Sequence, residues 1–201
     1  MRFPKPKSLF VIIGTVALTA AVACGNAVTD TPAADPTAAT NPSSTQSATT
    51  ITRSPGAAPD FTIPLYQTVT SSEGGDLTLS DLTGHPVVLN FWAPLCPPCR
   101  AEMPEFEEVW QTFKTQGVQF VGVDVGPFVL LGNADQAVEF LNEVALTYPV
   151  GQAQSASIVQ DYGVLSMPTT VFLNADGTVH RKWAGPLNRS TLESITAELL
   201  Q

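Results

Sequence analysis

The sequence predicts an α/β domain: a mixed central β-sheet flanked by helices and extended by an N-terminal β-hairpin. Three observations lead there. Apolar runs of strand length, at 87–91 and 118–125, alternate with stretches whose apolar residues recur at helical spacing. Two β-patterned runs, 169–173 and 178–183, are joined by the turn signal Asn174-Ala175-Asp176-Gly177-Thr178, which reads as a hairpin. Last, Ser190-Thr191-Leu192-Glu193 has capping-box form and starts a C-terminal helix. Strands alternating with helices, then a hairpin and a helix, pack as layers on one sheet.

Along the chain, 61–64 and 66–70 suggest a short leading strand, and Gly74-Gly75 turns it into 77–79. A short helical turn follows at 80–84, then the buried strand at 87–91. A helix should run from the cysteine pair to about 116, burying Phe106, Val109, Trp110 and Phe113, with a kink at Pro104. After strand 118–125, a second helix spans 133–142, opened by an Asn133…Gln136 capping pair, and a third spans 155–162.

The 201 residues allow one domain plus an appendage. Arg2, Lys5 and Lys7 precede a fifteen-residue apolar run, 9–23, which is short for a membrane span and typical of an export signal. Two processing readings fit. Ala21-Val22-Ala23 suits ordinary signal peptidase, whereas small residues before Cys24 resemble a lipobox in which Cys24 is lipidated, although Ala21 stands where leucine is preferred. Residues 24–58 form a tether: 24 of the 34 residues from 25 to 58 are Thr, Ala, Pro or Ser. So few large apolar side chains cannot offset the entropy of ordering, and a flexible coil of that length spans about 30 Å. The domain proper is 59–201. Residues 24–201 carry 6 basic side chains against 18 acidic ones. A body so acidic excludes a nucleic-acid ligand, which demands Lys/Arg clusters.

The chemistry concentrates in Trp92-Ala93-Pro94-Leu95-Cys96-Pro97-Pro98-Cys99-Arg100. A buried strand runs into two cysteines three positions apart and then into a helical pattern. That is the arrangement dithiol–disulfide exchange needs, because a helix N-terminus stabilises a thiolate. Cys96 is the attacking sulfur, lifted to the surface by the turn, and Cys99 the resolving one. A structural zinc site needs four ligands, but only Cys24, His85 and His180 remain, far apart in sequence, so no metal is expected. Neither Pro97 nor Pro98 has an N–H, which leaves Cys99 as the nearest donor to a Cys96 thiolate within the motif. A thiolate with so few donors suits a reducing couple.

Residues 87–105 resemble the active-site region of thioredoxin-like proteins, specifically the extracytoplasmic TlpA/ResA/DsbE group, related to the AhpC/TSA and redoxin proteins. The resemblance covers 59–201 and includes Gly163-Val164-Leu165-Ser166-Met167-Pro168-Thr169-Thr170-Val171-Phe172-Leu173. It implies a thioredoxin-like fold in which Pro168 follows a cis bond beside the sulfurs. It implies that Trp92, Pro97 and Met167 flank the dithiol as client contacts, Trp92 also as packing. Glu102, three residues after Cys99, is implied to tune the cysteine pKa values; the bland alternative is a solvated first-turn glutamate. Asn90 stands where cytoplasmic thioredoxins keep a buried aspartate, and Leu95 replaces the common tryptophan. The implied partners are exported proteins with disulfides, apocytochrome c among them, a membrane electron donor, and the membrane through a lipid on Cys24. No cofactor is implied. Two other classes stay open: a thiol peroxidase, although Ala93 stands where those carry threonine, and a Sco-type copper carrier, although its spacing is Cys-x-x-x-Cys.

Four further features are placed more blandly. Asp124 reads as a solvated strand end or a second buried acid, His85 as a loop residue, His180 as part of an exposed strand face, and 126–132 as an apolar insert that either docks on the core or offers a sticky surface to a partner.

Overall fold

The structure, a computed structural model, describes residues 56–68 and 74–201. The expected export signal, Cys24 and the tether up to residue 55 lie outside the described residues. In chain order the elements are β1 (Thr62–Pro64), β2 (Asp76–Thr78), β3 (Val87–Trp92), α1 (Pro97–Phe113), β4 (Gln119–Asp124), α2 (Gly126–Val129), α3 (Ala134–Val144), β5 (Val150–Gln152), α4 (Ser157–Asp161), β6 (Thr169–Leu173), β7 (Val179–Ala184) and α5 (Arg189–Glu198).

Five strands form the central sheet in the order β5-β4-β3-β6-β7. β3 is parallel to β4 and antiparallel to β6, β4 is parallel to β5, and β6 and β7 form the terminal hairpin. The sheet is therefore mixed, as predicted. β3 lies at its centre with all six residues buried, which explains why it reads as an apolar run interrupted only by Asn90. Its side chains alternate between two core layers. Val88 and Trp92 face Met103, Phe106, Val109, Phe140, Leu192 and Ile195 of α1, α3 and α5. Val87, Leu89 and Phe91 face Ile63, Leu79, Ile158 and Tyr162 on the opposite side. This period-2 division is what a strand buried on both faces must show.

The N-terminal hairpin is present, with Ile63 opposite Leu77. It is shorter than expected: Tyr66 to Thr68 form no strand, because the chain turns to the sheet edge. There Leu65 bridges Gly151, and the Tyr66 N–H donates to the Val150 carbonyl at 2.9 Å. That contact covers the edge of β5. Residues 57 and 58, assigned to the tether by composition, belong to the domain. Ala57 bridges Thr178, and the Ala58 N–H donates to Gly177 at 2.9 Å.

Helix α1 continues through Pro104 to Phe113 and ends in a 3-10 turn, Lys114–Gln116. Trp110 is only partly buried at the rim of the core. The capping box of α3 forms as predicted: Gln136 N–H donates to Asn133 Oδ1 and Asn133 N–H to Gln136 Oε1, both at 3.1 Å. α4 is shorter than expected. At α5 the predicted box gives way to an earlier start. Asn188 is the cap, accepting from the Thr191 N–H at 2.9 Å, and Glu193 pairs with Arg189 instead. Asparagine is among the strongest N-caps, so a start at 189 wins over one two residues later.

Candidate active site

Strand β3 delivers the chain through Ala93, Pro94 and Leu95 to Cys96, which is the N-cap of α1 with extended backbone (φ −89°, ψ 106°). Pro97 and Pro98 occupy the first two helical positions, where a missing N–H costs the helix nothing. Cys96 and Cys99 form a disulfide, with their Cα atoms 5.3 Å apart. The Cys99 N–H donates to Cys96 Sγ at 3.4 Å, the donor the two prolines leave within the motif. The expectation of a surface sulfur needs correction. Cys96 is 3% exposed and Cys99 wholly buried, because Ala93, Met103 and the core below them pack around the pair. Cys96 is still the more accessible of the two.

One substitution tests the donor argument. Pro98→Ala restores an amide at the second helical position, from which N-cap side chains normally accept. A hydrogen bond to a charged group is worth about 1.5–3 kcal/mol, so the Cys96 pKa should fall by about one to two units. Alkylation rate against pH measures it; an unchanged pKa would remove the prolines from the account.

The peptide bond before Pro168 is cis. Phe91 lies opposite Thr169, so Pro168 sits at the end of β6 beside the end of β3, where the chain enters the motif. Pro168 is buried, Met167 half-buried and Pro97 exposed. Trp92 is fully buried and its ring packs against Phe140 at 5.7 Å. It is a packing residue and not a surface that a client touches.

Behind the dithiol lies a buried carboxylate. Glu102, one helical turn beyond Cys99 on the same face of α1, is buried and not a solvated first-turn charge. Asn90 Nδ2 donates to its Oε1 at 2.8 Å and the Leu187 N–H to its Oε2 at 2.9 Å. Burial pushes its pKa up from 4.5 to about 7, against the opposing pull of those two donors, and the nearby Glu105 charge adds to the rise. Asn90 cannot titrate, but it faces the group that does. It also donates to Thr170 Oγ1 at 3.3 Å. An asparagine inside an otherwise apolar strand was the available signal for a buried polar partner. The Leu187 donor is backbone and left no signal.

Asp124 meets the second of its two readings. It is fully buried at the end of β4, accepting from the Tyr66 hydroxyl at 2.7 Å and the Gly126 N–H at 2.7 Å. Burial raises its pKa, opposed by both hydrogen bonds. Arg100, directly after the motif, donates to the Pro94 carbonyl at 3.3 Å, pairs with Glu143 at 3.0 Å and lies 3.9 Å over the Phe140 ring. His85 and His180 are exposed, the first near Gly117 O and the second paired with Glu198 at 3.0 Å. Among the described residues no group of three His, Cys, Asp or Glu side chains could hold a metal ion.

This geometry has known counterparts. Residues 56–182 match the AhpC/TSA family. The thiol-disulfide oxidoreductase ResA of Oceanobacillus iheyensis is 35% identical over 143 residues, 71% of each chain. A structure described as a thiol:disulfide interchange protein DsbE from Chlorobium tepidum aligns with TM-score 0.63 and 29% identity, covering 72% of this chain and 96% of that one. A secreted Mycobacterium tuberculosis disulfide oxidoreductase homologous to DsbE aligns with TM-score 0.54 and 28% identity over 69% of this chain and 95% of its own. With a strand-to-helix dithiol, a cis-proline beside it and these relatives, the chain belongs to the AhpC/TSA family and is a thioredoxin-like thiol–disulfide oxidoreductase of the TlpA/ResA/DsbE type, an enzyme of the protein-disulfide reductase class.

Proposed function

We propose that this oxidoreductase is a lipid-anchored, extracytoplasmic reductant of disulfides in exported proteins, apocytochrome c among them. One observation carries the direction of electron flow. Cys96 caps a helix whose first two amides are missing, leaving the Cys99 N–H at 3.4 Å as its donor within the motif. A poorly stabilised thiolate makes the dithiol form costly and the couple reducing. The Glu102 carboxylate, buried near the pair, works in the same direction by disfavouring a second negative charge. Export and anchoring rest on the basic and apolar segment 1–23 and on Cys24. The secreted relative from Mycobacterium tuberculosis supports the same location.

The reaction runs in two exchanges. The Cys96 thiolate attacks one sulfur of the client disulfide, and the other client sulfur leaves as a thiolate and takes a proton. Cys99 then gives its proton to Glu102 or water and attacks Cys96 Sγ. The second client thiol departs, and the enzyme is left with the Cys96–Cys99 bond. Two electrons have passed to the client, and a membrane dithiol donor must return them.

The test is a Cys99→Ser variant of the full chain, which stalls at the mixed disulfide. Its adducts should be membrane-associated, released by dithiothreitol, and should include apoproteins bearing haem-attachment cysteines. A Cys24→Ser variant should leave the membrane fraction. Absence of any adduct, or a Cys96 pKa near the oxidising extreme of about 3.5, would refute the reductant reading.

A further inference from the structure

Asp124 stands level with Trp92 in the parallel ladder, at the end of the sheet from which the dithiol loop springs. A buried carboxylate is costly unless its oxygens are hydrogen-bonded, and both of these are used. Oδ2 accepts from the Tyr66 hydroxyl and Oδ1 from the Gly126 N–H, each at 2.7 Å. Neither donor belongs to the dithiol motif, but one of them leads to it.

The Gly126 carbonyl accepts from the Leu131 N–H at 3.0 Å, and the Leu131 carbonyl accepts from the Leu95 N–H at 2.9 Å. Leu95 directly precedes Cys96. Three hydrogen bonds in series thus join the Asp124 carboxylate to the backbone of the attacking cysteine's neighbour. The segment between them closes through Leu130, whose left-handed backbone (φ +58°) turns Leu131 back towards the motif. Leucine takes that conformation at a cost, and Leu130 is 92% exposed, so no burial offsets it. The loop also grips the motif sterically. A Cβ on Gly126 would lie 2.8 Å from Pro94 Cδ, and one on Gly132 would lie 2.4 Å from Pro94 Cγ. Pro94 is therefore held between the two ends of the loop without room to spare. Of the two readings of 126–132, docking holds for Val129 and Leu131, which pack against the core, while Phe128 and Leu130 stay exposed.

We infer that Asp124, held by Tyr66, is a positioning residue for the dithiol: it fixes Leu95, and through it Cys96, at the reach from Cys99 that bond closure requires. The inference rests on the oxidoreductase activity and not on the direction of electron flow. In the closing step the Cys99 thiolate attacks Cys96 Sγ, the bond from Cys96 to the client sulfur breaks, and the client leaves as a thiolate. The rate and the equilibrium of that step both follow the effective concentration of one sulfur at the other. A misplacement of about 1 Å can cost about 100-fold. The negative charge of Asp124 is not what the role needs. An asparagine there still offers an oxygen to the Gly126 N–H, and its amide can donate to the Tyr66 hydroxyl oxygen.

The test is the equilibrium of the full chain with glutathione. The dithiol gives two electrons and two protons to glutathione disulfide, forming the Cys96–Cys99 bond and two glutathione thiols. Asp124→Ala breaks the series at its origin and should lower that equilibrium constant about tenfold, a potential about 30 mV less reducing. Asp124→Asn should stay close to the wild type. Tyr66→Phe keeps the ring that packs against the core but frees one carboxylate oxygen, and it should lower the constant severalfold. It reads the effect even where Asp124→Ala does not fold. Leu173→Ala lies at the other end of β6 in the opposite core layer, and it should lower the melting temperature with the constant unchanged. An unchanged constant in either Asp124→Ala or Tyr66→Phe overturns the inference. So does an asparagine variant as impaired as the alanine one, which assigns the effect to charge. An equal shift in Leu173→Ala overturns it too, by assigning the effect to stability. A wild type that never equilibrates with glutathione overturns the oxidoreductase reading itself, and this inference with it.

Discussion

Replacing Glu102 by glutamine should flatten the pH dependence of stability in the oxidised enzyme. The folded state holds the Glu102 proton with a pKa of about 7 against an ordinary 4.5. Folding therefore takes up a proton between those values, and stability falls as pH rises through that window. The difference corresponds to about 3 kcal/mol lost between pH 4.5 and a pH above 7. Asp124, also raised, adds loss in the same direction. Glutamine resembles the protonated acid: one oxygen can still accept from Asn90 or Leu187, and no charge is ever buried. Urea midpoints of the two proteins should lie close together at pH 5. At pH 8 the variant should be at least as stable as the wild type. The same change removes a base one helical turn from Cys99, so resolution of a preformed mixed disulfide should slow by about 100-fold near neutral pH. Parallel stability curves together with an unchanged resolution rate would reduce Glu102 to packing.

Gly132→Ala should be among the most damaging single substitutions outside the cysteines. Gly132 has φ +119°, a backbone that side chains rarely adopt, and an added Cβ would lie 2.4 Å from Pro94 Cγ and 3.2 Å from Gln136 Oε1. The first neighbour is a stiff ring in the loop carrying the dithiol; the second belongs to the capping box of α3. Backbone strain and overpacking together should cost about 3–5 kcal/mol, or roughly 10 °C in melting temperature. Because Pro94 must move, the reduction rate of the Cys96–Cys99 bond should change as well. Calorimetry and a dithiothreitol titration read the two effects. A melting temperature within 2 °C of wild type would mean that the loop yields more easily than its packing implies.

Local pattern was legible where the backbone alone decides. The apolar run at 87–91, with Asn90 inside it, became the central strand, and Asn133 with Gln136 became a real capping box. Where two local signals compete, pattern misled. Ser190-x-x-Glu193 fits a box, yet Asn188 caps the helix earlier and Glu193 is drawn to Arg189. The hairpin was overextended at Tyr66 because its backbone partner, Val150, is distant in sequence.

At the site the division is sharper. Two sulfurs at a strand-to-helix corner, and two prolines that strip the helix start of amides, follow from residue order alone, since both effects act within four consecutive positions. The buried state of the two carboxylates does not. Asp124 is sealed by a tyrosine 58 residues away, and Glu102 by a backbone amide 85 residues away. Desolvation is a sum over whatever the completed fold packs around a group. A charged residue written in a helix or at a strand end thus carries no local mark of whether it will meet water or core.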